Sequence, residues 1–224
     1  MIQILFEDKN LLVINKSSGV SLLRDRSGEE NLWSVIKNQY PTAKTVHRLD
    51  KGTSGVMVVA LTRDYQKRLN YMFAKRQIRK YYVAITAGHF PSGKTLSIKL
   101  PLKKGRKSRY RIAGLREQIR ETPNGWNITS SEGLESSSRV RTIKNGPRRS
   151  LVSINPQTGR THQIRVHLSW IGHAIVGDSL YGSPNFTEQS WTRLALHCHR
   201  LILPGIGSYV APIPKTFTKG IECH

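Results

Sequence analysis

The sequence predicts an α+β protein built on a mixed, mainly antiparallel β-sheet with flanking helices. Three observations carry that reading. Apolar residues fall in many short runs bounded by Pro, Gly, Asn and Asp, the pattern of strands joined by turns. Only a few segments repeat their apolar residues at three and four, as helices do. No repeat or low-complexity linker interrupts the 224 residues, and with 38% hydrophobic residues the chain can bury the core of one large domain or two small ones.

The elements follow in order. "ILFEDKNLLVINK" has two apolar stretches around Asp8-Lys9-Asn10 and reads as a β-hairpin. "NLWSVIKNQY" spaces Leu32, Val35 and Ile36 as a short helix. "GVMVVAL" is a buried strand, and Thr62 then caps a helix carrying Tyr65, Leu69, Met72 and Phe73 on one face. "KYYVAIT" alternates, with Tyr82 and Ala84 on one face and Tyr81, Val83 and Ile85 on the other. "TLSIKL" is a strand ended by Pro101, while residues 103–138 are polar, with a turn at Pro123-Asn124-Gly125. "RVRTI" and "SLVSI" read as paired strands, "THQIRVHLSWI" as a helix closed by Gly172, and "RLALHCHRLIL" with "SYVAPI" as the last strands.

Charge narrows the partners. Against 14 Asp and Glu stand 36 Lys and Arg, a formal charge of +22, so a polyanion is the natural partner. Lys103, Lys104, Arg106, Lys107, Arg109, Arg111, Arg116 and Arg120 gather with Glu117 as the one acid, and Tyr110 interrupts the run with a ring that could stack on a base. Arg139, Arg141, Lys144, Arg148 and Arg149 form a second set. Such runs are also what plain solvated faces look like. The apolar run Val56 to Leu61 is too short to cross a bilayer and "MIQILFEDKN" lacks a signal-peptide pattern, so a cytoplasmic protein with no membrane partner is expected. Cys198 and Cys223 have no Cys-x-x-Cys spacing and read as buried or idle thiols.

Residues 88–95, "GHFPSGKT", match the phosphate-loop pattern letter for letter. That loop works only where its Lys and Thr open a helix whose amides face the phosphates. Here "LSIKLPL" follows, alternating like a strand and ending in Pro, so a strand-to-strand loop is expected and an NTPase is not.

The segment "TVHRLDKGTSG" sets Asp50 among His47, Arg48 and Lys51. Locally it reads as a tight turn, Asp50-Lys51-Gly52-Thr53, with Gly supplying a positive φ. Taken with "INPQTGRTHQIRVHLSWIGHAIVGDSLYG", "KYYVAITAG" and "RLALHCHRLILP", the stretch "VHRLDKGTSGVMVVA" closely resembles the RluA-type family of pseudouridine synthases. The resemblance covers most of the chain outside roughly 103–138. It implies the pseudouridine synthase fold with a central RNA-binding cleft, a single catalytic domain over 1–224 with 103–138 as a basic variable insertion, and isomerisation of specific uridines in ribosomal or transfer RNA.

The resemblance implies that Asp50 is the catalytic carboxylate, a group able to attack or stabilise an electron-poor centre and leave again. Arg165 in "QIRVH" is then the cation that keeps a buried carboxylate ionised, against the plain reading of a phosphate contact or surface charge. Tyr82, in the pattern K-x-Y-x-A, can stack beneath the uracil and serve the carbon-bound proton that must leave, against the plain reading of a core tyrosine. Arg48 can fill the gap left by a flipped uridine and His47 help bind the backbone, or both are simply basic groups beside a turn. Ile164 is an apolar wall for the base, and Thr161, His162 and Gln163 support the pocket. The loop of His173 and Asp178 lacks a third clustered ligand, so neither a metal nor an organic cofactor is expected. Lys103, Lys104, Arg106, Lys107 and Arg109 are candidates for RNA docking.

One departure stands out: the family usually carries Lys-Pro where this chain has Lys16-Ser17, so a looser turn is expected there. A monomer without an obligate protein partner is the simpler expectation. The rival reading is a non-catalytic RNA-binding or chaperone protein that keeps the fold; the presence of Asp50, Tyr82 and Arg165 together argues against it.

Overall fold

Asp8, Lys9 and Asn10 interrupt two apolar runs, and in the computed structural model those runs fold back on each other, with Asp8 Oδ1 accepting the amides of Asn10 and Leu11 at 2.8 and 2.7 Å. The structure describes residues 2–23, 31–106, 109–129, 132–182 and 191–222. In chain order the elements are β1 (Gln3–Glu7), β2 (Leu11–Lys16), α1 (Leu32–Gln39), β3 (Lys44–Thr45), β4 (Ser54–Ala60), α2 (Arg63–Ala74), β5 (Arg79–Ala87), β6 (Leu96–Lys99), β7 (Leu102–Lys104), β8 (Tyr110–Ile112), β9 (Arg120–Thr122), β10 (Gly125–Asn127), β11 (Ser137–Asn145), β12 (Arg149–Pro156), α3 (Gln163–Trp170), β13 (Leu196–Leu203), β14 (Gly207–Val210) and α4 (Lys215–Gly220). They divide into two compact units, one of residues 1–80 and 197–212, the other of 81–196 and 213–224.

In the first unit the strands run β1-β2-β4-β13, with β3 also on β4 and β14 on β13. All of these pairs are antiparallel except β4 with β13, which is parallel at Ser54–His197 and Gly55–Cys198. Every residue of β4 is buried, as the unbroken apolar run from Val56 to Ala60 requires, and the buried Ser54 hydroxyl bonds His197 Nδ1. Asn31 Oδ1 caps α1 through the Ser34 amide, and Thr62 Oγ1 caps α2 through the Tyr65 amide. Leu69 and Met72 bury one face of α2 as its spacing predicts.

In the second unit the order is β5-β12-β11-β6-β10-β9, parallel only between β6 and β10, with β7 and β8 as a separate ladder. The alternation of β5 is no guide to its exposure, because residues 82–87 are all buried. Its edge is also occupied within this unit: Ala87 and Ile85 bond the backbone of Ala174, Val176 and Ala195. Residues 103–138 have more structure than their polar sequence suggests. The expected Pro123-Asn124-Gly125 turn joins β9 to β10, and Gly125 is required there, since a Cβ would meet the Ser97 carbonyl at 1.9 Å.

Helix α3 begins at Gln163 rather than Thr161, because His162 sits in the left-handed region at φ 57. Gly172, at φ 90, closes it as expected, donating its amide to Ser169 O. The sequence reading missed α4. Residues 88–95 connect β5 to β6 and lead into a strand, so no helix N-terminus is there to hold phosphates, in agreement with the sequence.

Candidate functional site

The turn carrying Asp50 is closed by the Thr53 amide donating to Asp50 O at 3.0 Å. The positive φ expected at Gly52 is not there; it falls at Gly55, at φ 114. Asp at the first position suits a turn of type I, whose third residue keeps a negative φ, so Gly52 is not needed for its handedness. Gly55 is needed for a different reason: β4 passes so close to β13 that a Cβ would lie 2.2 Å from Cys198 O.

The turn is held from below by a residue that the sequence reading did not single out for this job. Lys16 is 2% exposed, and its Nζ donates to the carbonyls of Ser17, Val20 and Lys51 at 2.9, 2.8 and 3.1 Å. The Gly19 amide donates to Lys51 O, and the Ser18 hydroxyl to Gly52 O at 2.6 Å. Ser17 therefore does not leave a loose turn: the buried Lys16 ammonium bonds the carbonyls of Ser17 and Val20 and ties them to Lys51. The signal was a lysine ending the apolar run "LLVIN" on a strand buried at almost every other position.

Around this turn Leu49 is buried, Asp50 half-buried and Arg48 exposed. His47 is fixed, with Nε2 accepting the Val58 amide at 2.9 Å and its ring stacked on Phe73 at 4.8 Å. Burial, then the charge of Lys80, lowers its pKa to about 3, so the imidazole is neutral and its remaining proton is on Nδ1.

Tyr82, Ile164 and Arg165 belong to the second unit. Tyr82 lies on β5 opposite Ile154 and is 9% exposed; Ile164 is 7% exposed on α3. Arg165 makes a two-pronged pair with Asp178, Nε to Oδ2 and Nη2 to Oδ1, both at 2.8 Å. Asp178 Oδ1 also accepts the amides of Leu180 and Tyr181, and the guanidinium lies over the Tyr181 ring at 5.1 Å. The Tyr181 hydroxyl takes the Tyr110 amide at 2.8 Å and bonds His162 Nδ1 at 2.9 Å, tying the start of α3 to β8. Asp178 and Tyr181 were not foreseen in this role, although the loop "GDSLYG" spaces them as an acid and the amide it accepts three residues on.

Gln163, expected to support the pocket, is bonded at the start of α3. Its amide nitrogen donates to Ser137 O and Ser138 Oγ, and its carbonyl accepts from Thr158 Oγ1 and the Arg160 amide. His167, fully buried, is fixed by Ser138 Oγ on Nδ1 and by Leu100 O on Nε2, and burial lowers its pKa to about 4. His173 packs on Phe90 and Trp126, so it and Asp178 have separate partners. Among the described residues no group of three or more His, Cys, Asp or Glu is placed to share a metal ion.

The basic run forms the β7–β8 ladder, pairing Lys103 with Arg111 and Lys104 with Tyr110. Lys104, Arg106 and Arg109 are exposed, while Lys103 pairs with Glu132 at 2.6 Å. Lys107 and Cys223 lie outside the described residues; Cys198 is buried. No helix among the described residues is long and apolar enough to cross a membrane.

The comparisons agree on one family. The model of the RNA pseudouridylate synthase family matches residues 10–170. A dual-specificity RNA pseudouridine synthase RluA of Yersinia pestis is 34% identical over 202 residues, which cover 89% of this chain and 91% of the relative. That of Escherichia coli K12 is 34% identical over 205 residues, 89% and 85% of the two chains. Two solved human structures share the fold: RNA pseudouridylate synthase domain containing 1, with TM-score 0.79 and 25% identity over 99% of this chain and 86% of the other, and domain containing 4, with TM-score 0.78 and 28% identity over 96% and 90%. The motifs, the strand order and these matches converge: the chain belongs to the RNA pseudouridylate synthase family and is an isomerase that acts on RNA.

Proposed function

We propose that Asp50 is the carboxylate that carries the isomerisation of uridine, with Tyr82 stacking on the uracil and serving its carbon-bound proton, and Arg165 as the cation of the site. The observation that supports this most is the seating of the Asp50 turn. A half-buried carboxylate follows a buried leucine, on a turn whose next two carbonyls are bonded by Gly19, Lys16 and Ser18. A reacting group held by neighbours that are themselves fixed loses little freedom when substrate binds. Arg165, held by Asp178 and stacked on Tyr181, is equally fixed.

In this reading Arg48, exposed beside Asp50, takes the place of the flipped nucleotide, and Ile164 is an apolar wall for the base. What His47 offers RNA is a neutral N–H rather than a charge. Lys103, Lys104, Arg106, Lys107 and Arg109 dock the backbone within the insertion 103–138. The substrate is a ribosomal or transfer RNA stem-loop; the dual specificity for which the Yersinia pestis relative is named supports a choice of two RNA substrates. The protein acts in the cytoplasm as a monomer without metal or organic cofactor. The test is release of tritium from RNA labelled at uracil C5: wild type releases it and Asp50→Asn does not, while the variant still binds RNA.

A further inference from the structure

Partners across the β-ladders share a face of the sheet, and in the second unit one face is open and basic. One row runs Arg120, Asn127, Lys99, Ser137 across β9, β10, β6 and β11. The next runs Thr122, Gly125, Ser97, Arg139, Asn155, and Arg141 faces Ser153 one step further along. Arg120, Lys99, Arg139 and Arg141 are all exposed, and none of their side chains has a hydrogen-bond or ion-pair partner among the described residues. No carboxylate occupies a position of this face within these strands; Glu121 belongs to the opposite one, beside His173.

That opposite face is the packed one. It carries Trp126, Ile98, Val140 and Tyr82, all buried, and α3 lies against it through His167 and Ser138. The C-terminal helix covers only the far end of the basic face, where Arg149 donates to Gly220 O at 2.7 Å and stacks on Trp191.

We propose that this open face is a second RNA-docking surface, holding the phosphate backbone of a duplex stem on the side of the sheet away from Tyr82 and Arg165. It rests on the RNA-modifying reading for the identity of the polyanion. The side chains choose the duplex. Four cations stand among hydroxyls and amides, the groups that bond phosphate and 2′-hydroxyl oxygens, and the exposed rows contain no aromatic ring on which an unpaired base could stack.

The experiment compares wild type with R120Q/K99Q/R139Q/R141Q, using an RNA duplex of about 20 base pairs and a single strand of equal length. The variant should bind the duplex roughly ten- to a hundredfold more weakly, and the slope of log affinity against log salt should fall by about four, one per lost phosphate contact. With C5-tritiated bulk RNA from cells lacking the protein, KM should rise while kcat stays within about twofold. Lys in place of the three arginines, keeping Lys99, should retain the wild-type slope, which a folding defect would not. An unchanged slope, an equal loss on the single strand, or a fall in kcat alone overturns the proposal. A wild type that binds duplex through these four cations yet makes no pseudouridine keeps the surface and removes the catalytic reading instead.

Discussion

Arg165 is gripped by Asp178 through two parallel hydrogen bonds of 2.8 Å, with side chains 8% and 1% exposed. A buried cation held this way is costly to orphan. Asp178→Ala should therefore lower unfolding free energy by roughly 3–5 kcal/mol, most of it from removing both of these bonds from a buried guanidinium. Arg165→Met with Asp178→Leu should cost clearly less than the two single changes added together. Urea unfolding of wild type, Asp178→Ala, Arg165→Met, Asp178→Leu and the double variant checks it; a loss below about 1 kcal/mol for Asp178→Ala would mean the pair is solvated.

Lys16 gathers three carbonyls, one of them in the Asp50 turn. Lys16→Met keeps the volume but takes the ammonium donor from the Ser17 and Val20 carbonyls and leaves Lys51 O to the Gly19 amide, so we expect roughly 2–4 kcal/mol of lost stability. The Thr53 amide, bonded to Asp50 O, should exchange with solvent markedly faster in that variant. Unchanged exchange at Thr53 would show that the turn stands without Lys16.

Gly55 and Gly172 share a positive φ but differ in surroundings. Around Gly172 a Cβ meets nothing within 4 Å, whereas at Gly55 it meets backbone of Cys198 at 2.2 Å. Gly172→Ala should cost only backbone strain, about 1–2 kcal/mol. Gly55→Ala should cost more than twice that or prevent folding, as thermal melting will register. Equal costs would contradict the close approach of β4 to β13.

His47 and His167 have pKa values lowered by burial to about 3 and about 4. Between those values and about 6.5, where an unfolded histidine titrates, the unfolded chain binds more protons than the folded one. Stability is therefore fully present above about pH 6.5 and is lost as pH falls, with a slope approaching about 1.4 kcal/mol per pH unit for each histidine. Denaturant unfolding across that range should show it, and His167→Gln should remove one histidine's share. A flat profile would mean that both rings titrate in the folded chain as they do in the unfolded one.

Much of this was legible in the sequence because the signals were local. Unbroken apolar runs gave β2 and β4, Thr62 and the spacing after it gave α2, and the residues after Thr95 ruled out a phosphate loop. What stayed hidden depends on contacts distant in sequence. β7 to β10 are three residues each, too short for alternation to register; β7 with β8 and β9 with β10 pair locally, and β10 is tied to the larger sheet through β6. Gly52 looked like the glycine that the turn needed, but the requirement lay at Gly55, where a strand from residues 196–203 comes close. Lys16 and Asp178 looked like an ordinary lysine and a tempting metal ligand; only their bonded partners reveal that they hold Asp50's turn and Arg165.

The central claim is that Asp50 carries the chemistry. The most direct measurement maps pseudouridine in cellular RNA from cells lacking this protein, supplied with either wild type or Asp50→Asn at equal abundance. The account predicts specific sites restored by wild type and by none of the variant, with RNA binding retained in both. Sites restored equally by Asp50→Asn would contradict it.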